Sequence, residues 1–340
     1  MRTLAASLTL VAVLALGAAS RGGATPPADL LQTYAPVLLF HQNEEWAPEA
    51  VESYLALARV ERQQTKGAWT VVPPPLPTSA TGCTTTPCLR LDLPCPLRGG
   101  LGCYRSLART TNWSAPVVYG NVVRVPATAP APPGFTKPPA LLVHYWLFYA
   151  FDDWRSPRER LWQVHEGDWE SITIGLDQSE TPVFAAYSEH CSGSVQPWAA
   201  VTKRGGTHPV AYVALGSHAN WFSATPADTR FSECLKGVAG SAARKASALV
   251  SLARESTADR MGSAHPLGAA GVPGVTPARV VQVPTATTPW ARFPGRWGEG
   301  QILWLGSKPR SYTTVSEGYG PGTPNWGATT VSASWHPATG

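Results

Sequence analysis

Apolar residues come in short runs along this chain, and prolines, glycines and threonines break them. Tyr34–Phe40 is continuous apolar sequence that reads as a strand, and Pro48–Ala58 places Val51, Tyr54, Leu55 and Ala58 at helical spacing. Val117–Val125 alternates as a strand. Leu141–Tyr149, Ser171–Leu176, Val183–Tyr187 and Val210–Leu215 are β-branched and aromatic runs separated by turn residues. Strands so close together in sequence predict a mainly β protein, an antiparallel β-sandwich with peripheral short helices and long Pro/Gly-rich loops.

Between these runs, residues 72–103 are dominated by prolines, threonines and cysteines, which predicts a disulfide-held surface excursion outside the core. Residues 126–139 carry prolines at 126, 130, 132, 133, 138 and 139, a stiff extended loop. Ala239–Arg260 has helix-forming composition. From Val280 onward the tail is rich in Gly, Pro and Trp, with Trp290, Trp297, Trp304, Trp326 and Trp335, and reads as ordered loops packed on the sandwich edge.

Composition narrows the function classes. Of 340 residues 44% are hydrophobic and only 14% charged, which suits a folded chain of short strands and turns. The formal charge of +5 comes without a Lys/Arg run, so nucleic acid is set aside as a partner. Arg2, the apolar run Leu4–Leu16 and the small residues Gly17–Ser20 have the layout of a secretory signal over residues 1–24, with one domain over 25–340. No later stretch approaches the roughly 20 apolar residues of a membrane-spanning helix. A secreted, extracellular protein without a transmembrane segment is expected.

Export makes the cysteines readable as bridges. Cys83, Cys88, Cys95 and Cys103 cluster, and Cys191 and Cys234 lie downstream, with no CxxC pair and no nearby His at zinc spacing. Two local bridges within Cys83–Cys103 and one Cys191–Cys234 bridge are favoured, although six cysteines permit other pairings.

The densest polar motif is His165-Glu166-Gly167-Asp168-Trp169-Glu170. With the two-residue period of a strand, Asp168 and Glu170 share a face with Ile172, Ile174 and Leu176, which the strand buries. Unpaired carboxylates there are costly, so a cation or a strong donor set is required. A divalent cation is the economical reading, calcium or magnesium first, with manganese allowed and zinc less suited; a structural Arg or Lys clamp is the alternative. Antiparallel pairing would bring Asp152 and Asp153, just past the first strand, near His165, and would deliver Glu189 and His190 to the same edge. Ser217 and His218 follow the next strand. Glu166 and Glu189 are expected to face solvent and His144 to pack within its strand, while His41, His265 and His336 have no supporting pattern. Asn112-Trp113-Ser114 matches a glycosylation sequon.

Catalytic templates are absent: no Gly-x-Ser-x-Gly, no His-Glu-x-x-His, no phosphate loop and no dinucleotide fingerprint occurs. A Ser217–His190 pair is a weak nucleophilic candidate. A cation-activated water, with Glu170 or His190 as base, would give hydrolysis.

Several motifs together resemble the vacuolar protein sorting-associated protein sixty-two family: Tyr-Ala-Pro-Val-Leu-Leu-Phe-His at 34–41, His-Tyr-Trp-Leu-Phe-Tyr at 144–149, His-Glu-Gly-Asp-Trp-Glu at 165–170, Ser-Glu-His at 188–190, Val-Ala-Leu-Gly-Ser-His-Ala at 213–219 and Pro-Gly-Arg-Trp-Gly-Glu at 294–299. A more distant resemblance is to the necrosis- and ethylene-inducing-like proteins, secreted cytolysins that bind plant sphingolipids and carry Gly-His-Arg-His-Asp-Trp-Glu on a β-sandwich. That resemblance implies a divalent cation held by Asp153 (or Asp152), His165, Asp168 and Glu170. This chain departs from the pattern at Gly167, where that family has His, and at Val164, where it has Gly.

The expectation is therefore a secreted protein that binds a divalent cation through Asp153, His165, Asp168 and Glu170, with Asp152, His190, Ser217 and His218 around it. It would recognise a lipid headgroup or glycan, in a toxin-like way. A secreted metal-dependent hydrolase and a structural envelope or matrix protein are the rival readings.

Overall fold

The computed structural model describes residues 24–65, 68–82, 88–95, 102–108, 115–156, 161–189, 192–224, 264–305, 312–319, 324–331 and 336–337. The described chain is mainly β and forms three sheets. The largest is built on a long hairpin, Leu141–Ser156 against Leu161–Leu176, in register from Leu141↔Leu176 to Ser156↔Leu161. Val117–Arg124 adds antiparallel to the first hairpin strand, and Arg279–Gln282 lies parallel beyond it. Pro182–Glu189 and Ser192–Pro197 extend the other flank.

The second sheet runs Lys203–Arg204, His208–Val213, Val37–Phe40, Ala264–Gly268, Thr276–Pro277, with Asn220–Trp221 added to His208–Val213. The third runs Arg296–Trp297, Leu89–Asp92, Arg59–Thr65, Ala68–Val72. Two of the parallel pairings are Val37–Leu39 with Val210–Tyr212 inside the second sheet and Arg296–Trp297 with Arg90–Leu91 at the edge of the third. Both join segments far apart in sequence.

The first hairpin strand is buried on both faces over Leu141–Phe151, which is why that stretch is nearly continuously apolar rather than alternating. On one face Tyr145 donates to the Leu31 carbonyl at 3.0 Å and Tyr187 of the neighbouring strand to the Val210 carbonyl at 3.1 Å, while Tyr149 packs edge-on to Phe40. The Tyr145 and Tyr187 hydroxyls thus take backbone acceptors from the covering elements. The other face is an aromatic cluster in which Phe148 and Trp169 meet Trp297, and Trp169 also meets Trp290 and Trp326. Trp290, Trp297 and Trp326 therefore lie in the core and not only along an edge.

Two expectations need correction. Residues 72–103 are not merely a surface excursion: Leu89–Asp92 is a strand of the third sheet, and Leu89, Leu91 and Leu93 are 1%, 0% and 2% exposed. The alternating leucines bury one strand face, a signal masked by the surrounding prolines and cysteines. The long hairpin also runs further than expected, so Asp152, Asp153 and His165 lie within paired strands and not beyond their ends.

Cys95–Cys103 is a disulfide and Cys88 is also bridged. Cys83, Cys191 and Cys234, and the expected leader, sequon and Ala239–Arg260 helix, fall on residues outside those described. Among the described residues no helix is long and apolar enough to cross a membrane.

Candidate functional site

The candidate site lies where the large sheet forks. One edge of Leu161–Leu176 pairs with Leu141–Ser156 along its length. On the other edge Ile172–Leu176 pair with Pro182–Tyr187, whereas Leu161–His165 pair with Trp304–Gly300 of the strand Glu299–Leu305. Residues 166–171 occupy the interval between these two partners. Side chains take over the work of the ladder there: the Ser171 amide donates to Ser188 Oγ at 2.7 Å and the Glu299 amide to Glu166 Oε2 at 3.4 Å. A fork thus exposes polar backbone and recruits polar side chains to satisfy it.

Gly167 inverts the strand at this point. Its φ is +57°, and a Cβ added there would meet the Trp297 carbonyl oxygen at 2.4 Å and Trp297 Cβ at 2.6 Å. Only glycine fits both the conformation and the approach. Because of the inversion, Asp168 keeps the face expected of it, while Glu166, two residues earlier, turns to the opposite one.

There Glu166 is fully buried, correcting the solvent-facing expectation. It accepts hydrogen bonds from Tyr104 at 2.7 Å and from the Leu93 amide at 3.1 Å. Burial pushes its carboxyl up to about 8 against the pull of these donors. Glu189 is buried as well, accepting from Ser194 Oγ, again against expectation.

On the Asp168 face a second buried cluster forms. Asp168 Oδ2 lies 2.8 Å from His218 Nδ1, and His218 Nε2 lies 3.6 Å from Glu44 Oε1. The His218 ring stacks on Tyr149, with centroids 3.8 Å apart. Burial alone would lower the imidazole pKa, but the Glu44 charge and the Asp168 hydrogen bond lift it to about 10, so the ring is a cation at neutral pH. Asp152 Oδ2 is 3.7 Å from His165 Nε2, and its Oδ1 accepts from the Trp154 amide at 2.9 Å. Burial and then the Asp168 charge drive the Asp152 carboxyl well above its ordinary range. Glu170 accepts from Ser188 Oγ.

The turn that delivers His218 is locked to the hairpin. Asp153 N donates to the Gly216 carbonyl at 2.9 Å, and a Cβ at Gly216, whose φ is +79°, would meet the Asp153 carbonyl oxygen at 2.4 Å. His218 itself has φ +55°, a conformation uncommon for residues other than glycine. The Gly-Ser-His sequence thus serves docking: glycine permits the approach and histidine reaches the carboxylates.

Outside this cluster lies a cavity of about 240 Å³, bounded by Asn43, Glu44, Glu45, Arg105, Asp153 and Gly216 among others. Glu44 belongs to both places. Its Oε2 accepts from the Gly216 amide at 2.8 Å while Oε1 faces His218.

Of the expected ligands, Asp168 and Glu170 are buried on the hairpin and His165 lies beside Asp152. Asp153, one residue on, lines the cavity instead. His218 joins Asp168 directly, Ser217 is buried next to it, and His190 lies outside the described residues. Tyr149 Oη, Ser217 Oγ and both amide atoms of Asn220 are buried without a hydrogen-bond partner among the described residues. Also among the described residues, no group of three His, Cys, Asp or Glu side chains is gathered in metal-holding arrangement. Glu44 was not anticipated: it lies in a loop after Val37–Phe40, where no strand or helix period marks it.

These features define a mainly β protein with a buried carboxylate and imidazole cluster at a sheet fork. No family model matches the chain and no curated protein matches it, so the likeness to the vacuolar protein sorting-associated family rests on the quoted motifs alone. A solved structure, Necrosis and Ethylene inducing Protein 2 from the causal agent of cocoa's Witches Broom disease, aligns over 59% of this chain and 69% of its own, with 17% identity and a TM-score of 0.31. A likeness at that level carries no argument about activity.

Proposed function

We propose that this is a secreted protein that binds a divalent cation, calcium or magnesium, at the fork and uses it to recognise a lipid headgroup or glycan. One observation carries the reading: the carboxylates of Glu44, Asp152 and Asp168 are buried around the His218 imidazolium at the fork and its adjoining turn, and Glu170 follows Asp168 on the same strand. Negative charge in excess at a buried place is costly, and protonation of Asp152 is the remedy open to the protein alone. A hard divalent cation is a second remedy, and carboxylate oxygens are the ligands it prefers. Asp152, His165, Asp168 and Glu170 are the residues that would hold it, with Asp152 taking the place first assigned to Asp153. The unpartnered Tyr149 and Ser217 hydroxyls and the Asn220 amide add polar atoms beside them.

The test is thermal unfolding in chelator and then in calcium or magnesium, for the wild type and Asp168→Asn. A cation bound only by the folded protein stabilises it by about 2.7 kcal/mol at a hundredfold excess over its dissociation constant. The wild-type midpoint should rise and the variant's should not; equal response from both, or none from either, removes the cation from the reading. Binding to liposome and glycan panels, with and without the effective cation, then tests recognition.

A further inference from the structure

A segment that borders the cavity is held by a covalent bond. The helix Gly102–Ala108 is seven residues long, too short to be stable by itself; Cys103, Arg105 and Ser106 face solvent, while Tyr104 is buried and Leu107 packs partly against the core. Tyr104 is its buried anchor, stacked on Phe151 at 4.1 Å and bonded to Glu166 and to the Cys95 carbonyl. Cys103 precedes that anchor and is bridged to Cys95. Arg105 follows it, lines the cavity and pairs with Glu45 at 3.1 Å. The other charged residues around that cavity are Glu44, Glu45 and Asp153, so Arg105, half-exposed at the rim, is the cation among its lining residues.

We propose that the Cys95–Cys103 disulfide is a redox-sensitive latch that keeps Arg105 seated at the acidic cavity, so that reduction releases the helix and uncovers the cavity's carboxylates. Cys103 is exposed and Cys95 is buried, which directs an incoming thiolate to the Cys103 sulfur. One thiolate of a dithiol reductant attacks that sulfur, and Cys95 leaves as a thiolate. The second thiol of the reductant then closes its own disulfide and frees Cys103, so the protein gains two thiols and the dithiol is oxidised. Without the bridge, Tyr104 and Arg105 rest on noncovalent contacts alone. Leu93, whose amide serves Glu166, lies two residues before Cys95 and is loosened with it. The latch is independent of whether a cation occupies the fork.

Hydrogen–deuterium exchange on the whole protein tests it, comparing the wild type with Cys95→Ser/Cys103→Ser. Exchange over Gly102–Ala108 should accelerate about tenfold or more, with trypsin cutting sooner after Arg105, while the Leu141–Leu176 hairpin keeps its wild-type rate. An unchanged helix segment overturns the latch. So does equal acceleration in the hairpin, which would make the bridge a general staple. If the double variant does not fold, brief dithiol reduction of the wild type, with alkylation of Cys95 and Cys103 verified by mass, supplies the same comparison. Cation-dependent unfolding of the oxidised wild type is read separately, so the two proposals fail independently.

Discussion

Replacing Gly167 by Ala tests whether the inversion of the hairpin is fixed by contact with Trp297. Two costs arise. An Ala held at φ +57° costs about 1–2 kcal/mol in backbone conformation. Its Cβ would also stand 2.4 Å from the Trp297 carbonyl oxygen and 2.6 Å from Trp297 Cβ. Trp297 cannot easily retreat, since it is fully buried and packed by Tyr54, Phe148, Trp169 and Phe293. Overpacking of this kind costs about 1–3 kcal/mol, so the sum is about 2–5 kcal/mol. Gly271 is the control, because its φ of +86° imposes the conformational cost while nothing lies within 4 Å of its Cβ position. Equilibrium urea unfolding of both variants measures the difference. Gly167→Ala should lose clearly more stability than Gly271→Ala; equal losses would refute the contact argument.

Removing the imidazolium should expose the charge excess it offsets: in chelator, His218→Ala is expected to cost about 3–5 kcal/mol in urea unfolding, as for a buried ion pair that loses one member. Adding Asp168→Asn to that variant should recover part of the loss, and strictly additive effects would show that the two side chains are not coupled. A pH dependence follows from His144, whose Nε2 donates to the Ala328 carbonyl at 3.0 Å while Nδ1 accepts from Thr173 at 2.9 Å. Burial lowers its pKa to about 4, below the unfolded value near 6.5, so the unfolded chain takes up the proton first. Its stabilising contribution is present above about pH 6.5 and is lost, by about 3 kcal/mol, as pH falls toward 4. The stability difference between wild type and His144→Gln should shrink across that window, and a constant difference would count against a buried neutral histidine.

Local order determined much of this protein. The strands at Val37–Phe40, Val117–Arg124 and Pro182–Glu189 follow from short apolar runs bounded by turn residues, because such runs bury best in a sheet. The two-residue period likewise sufficed to put Asp168 and Glu170 on a buried face with Ile172, Ile174 and Leu176. A local period ends where the backbone changes hand. Glu166 has the same phase as Asp168 yet lies on the other face, because Gly167 turns at positive φ under Trp297, a residue from a distant segment. Asp152 and not Asp153 stands beside His165 because the hairpin continues past Tyr149 instead of ending there. Glu44 joins His218 through pairing of Val37–Leu39 with Val210–Tyr212, which no local pattern encodes. Sequence thus determined which residues prefer burial in strands; tertiary structure decided which carboxylates meet, since charge separation in space depends on long-range pairing and not on spacing along the chain.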